Sequence, residues 1–281
     1  MPFREEDRRI VALAIEEDLA GGDVTTEALV PPSLRGRAYF LAKAEGVVAG
    51  LEVAELAFQQ VNASVTLNVL KPDGSRVKPG DRLATVEAPV ATILKAERTA
   101  LNFLQRLSGV ATMTSRYVEA VQGANAKVLD TRKTTPGMRA FEKYAVRVGG
   151  GQNHRMSLSD GILIKDNHLV AAGKQRVTIA EAVRKAREQA KGRLKVEVEV
   201  TSLDQAKEAL AAGADILLLD NMPVPVMREA VSLARGRALT EASGGITLEN
   251  VRQVAETGVD YISIGALTHS VRALDISLEL E

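Results

Sequence analysis

Apolar and polar positions follow two different periods along this chain, and the change of period divides it. Ile10, Leu13, Ala14 and Ala20 fall near helical spacing, predicting an amphipathic helix over 5–19 that Gly21-Gly22-Asp23 stops, with Asp23-Val-Thr-Thr as a polar turn. Residues 37–44 alternate as a strand does, and 46–50 are small and apolar. The spacing predicts a helix over 52–61 and strands over 65–70, 76–77 and 83–88, joined by the turns Lys71-Pro-Asp-Gly74 and Lys78-Pro-Gly-Asp81. Residues 92–122 predict one or two long helices with Leu94, Leu101, Leu104 and Leu107 on the apolar face and a break near Ser108-Gly109. From Ala126 onward short apolar runs (127–131, 161–166, 195–200, 215–221, 237–243 and 260–265) alternate with helical stretches, clearest at 178–191, 202–212, 224–235 and 247–257.

Repeated βα units of this kind argue for a parallel sheet, and their spacing fits closure into a TIM-like barrel. Six clear strands would make that barrel incomplete, with a doubly wound open sheet as the alternative. No Gly-x-Gly-x-x-Gly follows the first strand, against a dinucleotide fold. Composition narrows the picture further. Only 3% of the 281 residues are aromatic and none is Trp, so the core must come from Val, Leu, Ile and Ala, which suits parallel strands covered by helices. Thirty-six basic and 36 acidic residues cancel, without the basic excess of a general nucleic-acid binder. The absence of Cys excludes disulfides and thiolate chemistry. The amino terminus is charged where a signal peptide needs an apolar core, and no apolar run is long enough to span a bilayer, so a cytoplasmic enzyme is expected.

Nearly every late strand ends in chemically active residues: Asp130-Thr-Arg-Lys133, Lys165-Asp-Asn-His168, Glu197-Val-Glu199, Asp220-Asn221, Glu241-Ala-Ser243 and Ser263-Ile-Gly265. In a parallel barrel these ends converge on the face where active sites lie. In 195–200 side chains alternate, so Lys195, Glu197 and Glu199 share one face and the valines the other. A salt-bridge layer is the expectation for Lys195 and Glu197, while Glu199, nearest the strand end, is the better catalytic candidate. Ser243-Gly244-Gly245 before a helix expected from Thr247, paired with Ile264-Gly265-Ala266, suits a phosphate held by backbone N–H groups. Arg132, Lys133, Arg139, Lys143, Arg147, His154, Arg155 and Lys165 form a cationic cluster fit for a polyanionic substrate, with Lys143 assigned to solvated surface. Three His and no Cys argue against catalytic zinc, whereas Glu199 and Asp220 could carry Mg²⁺ together with substrate phosphates.

The segments Glu17-Asp-Leu…Asp23-Val-Thr-Thr26, Ala96-Glu-Arg-Thr-Ala-Leu-Asn-Phe-Leu104, Asp130-Thr-Arg-Lys-Thr-Thr-Pro-Gly137, Gly149-Gly-Gly-Gln-Asn-His-Arg155, Leu163-Ile-Lys-Asp-Asn-His168, Val196-Glu-Val-Glu-Val200, Leu219-Asp-Asn-Met222 and Glu241-Ala-Ser-Gly-Gly-Ile246 resemble the quinolinate phosphoribosyltransferase family. The resemblance spans nearly the whole chain. It implies an N-terminal α/β sandwich domain (1–108, with 268–281 packing back on it) followed by an incomplete TIM-like α/β barrel (109–267). It implies decarboxylating phosphoribosyl transfer from phosphoribosyl pyrophosphate with Mg²⁺ to quinolinate, in NAD biosynthesis, by a homodimer or larger assembly with shared active sites. By motif, Arg98 would reach the neighbouring subunit's quinolinate, and Thr131, Arg132, Lys133, His154, Arg155 and Lys165 would surround its carboxylates. Lys165, Glu199 and Asp220 would face the ribose and metal, with Lys133, Glu199 and Asp220 as the catalytic set. Ser243, Gly244, Gly245, Ile264, Gly265 and Ala266 would cradle the 5′-phosphate.

Three competing readings stand beside it. A barrel aldolase would use Lys165 as a Schiff-base nucleophile. A related phosphoribosyltransferase would take another aromatic acceptor. A non-catalytic binder of anionic metabolites would release no pyrophosphate.

Overall fold

The computed structural model describes residues 3–172 and 177–281. They form two compact units. The first comprises residues up to Ser115 with Thr134–Gly150 and Ala266–Glu281, and the second comprises Arg116–Lys133 and Gly151–Gly265.

The first unit is built on a four-stranded antiparallel sheet of β1 (Arg35–Ala42), β3 (Leu67–Val69), β5 (Arg82–Pro89) and β12 (Ile276–Leu280), in the order β12-β1-β5-β3. β2 (Gly46–Val47) and β4 (Arg76–Val77) make a separate two-stranded ribbon. In β1, Ala38, Phe40 and Ala42 are fully buried while the residues between them stay partly exposed, as alternation on a one-sided sheet requires. The core is helped by α1 (Glu5–Leu19), α3 (Leu51–Val61) and α5 (Arg139–Val148), and Phe141 of α5 packs against Phe3 and Phe103 with ring centroids 4.9 and 5.6 Å away.

Three expectations change here. Residues 24–29 form α2 (Val24–Leu29), with the Asp23 carboxylate accepting from Thr26 N at 3.0 Å. The predicted polar turn is therefore a capped helix. The long helix α4 (Val90–Ala120) is continuous through Ser108-Gly109. Gly109 is needed for close approach, because a Cβ there would collide with the backbone of Arg272 and Ala273. Lys143 is fully buried on α5 and not on the surface. Beside it Glu142, also fully buried, accepts from Arg106 at 2.7 Å, from Thr135 N at 3.0 Å and from Thr135 Oγ1 at 2.8 Å.

The second unit is a six-stranded parallel sheet of β6 (Lys127–Leu129), β7 (Ile162–Ile164), β8 (Val196–Val200), β9 (Ile216–Asp220), β10 (Leu239–Ser243) and β11 (Tyr261–Ser263). Its order is β6-β11-β10-β9-β8-β7. The sixth strand returns to the first, and the seam between β6 and β7 is unpaired among the described residues, giving an incomplete TIM-like barrel. Gln152 bridges to Leu129 on the open edge of β6. Helices α6 (Asp166–Ala172), α7 (Ile179–Ala190), α8 (Leu203–Ala211), α9 (Val224–Ala234) and α10 (Val251–Ala255) connect the strands. Thr178 and Glu181 make a reciprocal capping box at α7, each bond 3.2 Å, and Ser202 caps α8. The opposite, amino-terminal strand ends are tied by carboxylates: Asp215 accepts from Val196 N and Asp260 from Thr240 N, both at 2.8 Å. Acidic residues at that end therefore satisfy backbone donors of the strands.

Candidate active site

The active-face residues are placed by strand register. Ser243 lies beside Asp220 across β10 and β9, and Ser263 beside Leu129 across β11 and β6, so the segments that follow leave the sheet together. Asn221, at φ +52°, donates its backbone N–H to Ser243 O at 2.8 Å. Its side chain donates to the Asp220 carboxylate at 2.9 Å. Gly244 and Gly245 follow with φ of +87° and +62°. A Cβ on Gly244 would collide with the Asn221 side chain, so glycine is required there by both conformation and space. Asn250 braces the loop, accepting from Thr247 N and donating to Gly245 O. One expectation is corrected: the next helix begins at Val251, not Thr247, so a turn separates Ser243-Gly-Gly from it. Any anion held here meets loop backbone, not a helix terminus.

On the neighbouring strands, Lys165 Nζ donates to Glu199 Oε2 at 2.7 Å. The backbone N–H of Lys165 donates to His168 Nδ1, fixing the chain as it turns into α6.

Asp130, fully buried at the end of β6, organises the segment that fills the open seam. It accepts from His154 N at 2.9 Å and from Asn153 Nδ2 at 2.5 Å, while Gln152 and β6 exchange backbone bonds. That fixes where His154 and Arg155 emerge. Arg155 Nη1 donates to Gly161 O at 3.1 Å. Burial and then the Arg132 guanidinium depress the pKa of Arg155, so two like charges are held near each other in a partly desolvated place. Arg132 Nε is itself buried with no hydrogen-bond partner among the described residues. An arrangement with repelling guanidinia and an unpaired donor suits an incoming carboxylate or phosphate.

The expected salt-bridge layer between Lys195 and Glu197 is absent among the described residues. Lys195 is exposed and Glu197 turns to His154, with Glu197 Oε2 3.1 Å from His154 Nε2. Glu241 Oε2 lies 3.6 Å from the same nitrogen. Burial, and then the Glu197 charge, push the Glu241 carboxyl up to about 7. Asp130 and Glu241 were visible as strand-end acids, but their burial was not.

The second unit thus brings together Lys165 with Glu199, Arg132 with Arg155, and Asp220 with Ser243 and Gly244. Thr131 Oγ1 accepts from Lys133 N at 3.0 Å, shaping that turn. Ile264 N donates to Leu129 O at 2.9 Å, which places Ile264 and Gly265 at the strand exit. Arg98 and Ala266 fall in the first unit: Arg98 is exposed on α4 beside Glu17, Asp18 and Asn102, and Ala266 opens the short α11 (Ala266–His269).

Known proteins agree with this architecture along the full length. The family model for the quinolinate phosphoribosyl transferase N-terminal domain matches residues 23–108, and that for the C-terminal domain matches 110–279. The nicotinate-nucleotide pyrophosphorylase [carboxylating] of Mycobacterium leprae is 47% identical, covering 97% of this chain and 96% of its own. A probable enzyme of the same name from Bacillus subtilis is 45% identical over 94% of this chain and 90% of its own. The crystal structure of NadC from Streptococcus pyogenes superposes with a TM-score of 0.92 at 43% identity, covering 97% of this chain and 95% of that one. The chain belongs to the quinolinate phosphoribosyltransferase family.

Proposed function

We propose that this enzyme transfers the phosphoribosyl group of phosphoribosyl pyrophosphate to quinolinate, with decarboxylation, giving nicotinate mononucleotide, pyrophosphate and CO₂. The observation that carries the reading is the half-buried Arg132, whose Nε is buried and unpaired among the described residues, within electrostatic reach of the half-buried Arg155 on a strand-end face that also offers carboxylates and a glycine loop.

Arg132, Arg155, His154, Thr131 and Lys133 hold the acceptor's two carboxylates, which is a positioning effect on the pyridine nitrogen. That nitrogen attacks the anomeric carbon as the bond to pyrophosphate breaks. Positive charge develops on the sugar, and the carboxylates of Glu199 and Asp220 stabilise it. Lys165, paired with Glu199, keeps that carboxylate oriented. Ser243, Gly244, Gly245, Ile264 and Gly265 take the 5′-phosphate through backbone donors. The quaternised ring nitrogen then accepts electron density as the carboxylate on ring carbon 2 leaves as CO₂, and that carbon takes up a proton.

Mg²⁺ arrives with phosphoribosyl pyrophosphate as part of the substrate. Glu199 and Asp220 fit that use: each already meets one neighbouring donor, and a magnesium ion carried by phosphates needs only one or two protein carboxylates. Arg98 completes the site of an adjacent copy in a homodimer or larger assembly, which its exposure permits. The domain division follows the family's, residues 1–108 and 109–267, with Thr134–Gly150 belonging to the first compact unit, and the setting is cytoplasmic. No described helix is long and apolar enough to cross a membrane.

The test is joint release of pyrophosphate and CO₂ from quinolinate plus Mg²⁺-phosphoribosyl pyrophosphate. Both in equal amount support the reading. Pyrophosphate release with another aromatic acid and none with quinolinate would overturn it. For Arg98, mixing inactive Arg98→Ala and Arg132→Ala chains restores part of the activity if sites are shared, and restores none if each chain is self-sufficient.

A further inference from the structure

Inside the parallel sheet, Glu197 on β8 and Glu241 on β10 point at the same imidazole nitrogen, and neither is a substrate ligand in the reading above. Their side chains are only 7% and 2% exposed. Each keeps one oxygen, Oε1, buried with no hydrogen-bond partner among the described residues. One ligand atom from each of His154, Glu197 and Glu241 lies within 4.8 Å of the other two. Two buried carboxylates this close, hydrogen-bonded to each other, are costly unless a cation or a proton shared between them compensates the charge. The one lysine on their strand face, Lys195, is exposed, and Arg155, which feels the Glu197 charge, directs its Nη1 to Gly161 O.

We infer that His154, Glu197 and Glu241 bind one divalent transition-metal ion of the manganese, iron or zinc class. The donor set is right: one imidazole nitrogen with two carboxylates suits these ions. So is the spacing. Bonds of about 2.0–2.2 Å put neighbouring donors about 3.0 Å apart at right angles and about 3.4 Å apart in a tetrahedron. The 3.1 Å separation lies between these values and the 3.6 Å one a little above them. The ligands have outer support, which metal sites need to hold their geometry. Asp130 fixes the His154 backbone, and the Ser263 side chain hydrogen-bonds Glu241. An entry path exists as a cavity of about 590 Å³ that His154, Glu197 and Glu241 line together with Asp160, Lys195 and Tyr261.

The site is separate from the carboxylates that meet the substrate's Mg²⁺. Glu197 precedes Glu199 by two residues and Glu241 precedes Ser243 by two, so the ion would sit deeper between the strands. There it neutralises both acids and anchors His154 from below. Because metal content is read without turnover, failure here and failure of the proposed reaction are distinguishable.

The experiment is elemental analysis of the full chain after exchange with Mn²⁺, Zn²⁺ or Co²⁺ and desalting. About one ion per chain is expected, falling about tenfold or more in Glu241→Gln and staying near one in Glu199→Gln. Below about 0.1 ion per chain in the wild type, with no rise in melting temperature on adding Mn²⁺ or Zn²⁺, overturns the inference and leaves a shared proton as the compensating charge. Undiminished content in Glu241→Gln, or loss in Glu199→Gln, also overturns it. Should Glu241→Gln fail to fold, Co²⁺ in the wild type decides. Paramagnetic shifts confined to one of the three histidine rings support the site, and no shifted ring refutes it.

Discussion

β1 of the first unit and β8 of the second obey the same alternation and put it to opposite uses. In β1 the apolar face, Ala38, Phe40 and Ala42, is buried, and the other face carries Arg37 and Tyr39 to partners at the surface. In β8 Val196, Val198 and Val200 are fully buried, yet Glu197 on the other face is also buried and Glu199 is nearly so. A polar residue on a one-sided sheet is merely solvated. On a sheet covered on both sides the same residue needs a partner, and the partner is where chemistry enters.

The largest expected effect breaks that comparison at its functional end. Arg132→Ala removes a guanidinium from the acceptor site and should cost on the order of 2–5 kcal/mol in kcat/KM, a loss of about thirtyfold to several thousandfold. Its melting curve should stay close to that of the wild type. Near-normal turnover would sink the assignment of this face. Next comes the structural end. Phe40, fully buried and edge-on to Phe58 at 6.2 Å, should cost about 3–5 kcal/mol of stability on truncation to Ala. Denaturant unfolding checks it, and kcat measured well below the transition should be unchanged.

Much of this was legible in the chain. Short apolar runs with polar endings located all six parallel strands, because each strand is buried on both sides and each ends at one face. What escaped has physical causes. α5 hides its periodicity because Glu142 and Lys143 are buried charges, so the apolar stripe of Phe141, Ala145 and Val146 looks interrupted. α4 seemed broken because Gly109 reads as a stop, whereas close backbone approach is what demands it. The pairing of Glu197 with His154 instead of Lys195 depends on the open seam between β6 and β7, through which residues 152–155 enter. No local pattern encodes that seam.

A smaller effect separates strain from collision. Gly244 and Gly236 both have positive φ, but only Gly244 has a neighbour, Asn221, where a Cβ would go. Ala at either position should lose about 1 kcal/mol or somewhat more of stability. Only Gly244→Ala should raise the KM for phosphoribosyl pyrophosphate, since it displaces the Asn221 and Asp220 turn. Equal KM values for the two variants would remove Ser243-Gly-Gly from the phosphate site.

The smallest effect sets two lysine–glutamate pairs against each other, one on each sheet. Lys43 Nζ meets Glu279 Oε1 at 3.2 Å across the first unit, with both side chains about two-fifths exposed. Lys165 Nζ meets Glu199 Oε2 at 2.7 Å on the active face, where Glu199 is only 13% exposed. Solvent screens the first pair, and ordering two long side chains offsets what attraction remains. Lys43→Met should therefore move the melting temperature by no more than about 2 °C and leave both kcat and KM alone. Lys165→Met should change stability just as little, because its ammonium is itself partly exposed, but it leaves Glu199 without its partner at the point where sugar charge develops. Activity, not stability, is the quantity that should fall. If both variants lowered stability alike and neither touched kcat, position on the covered sheet would confer nothing that position on the solvated one lacks, and the contrast between the two sheets would fail.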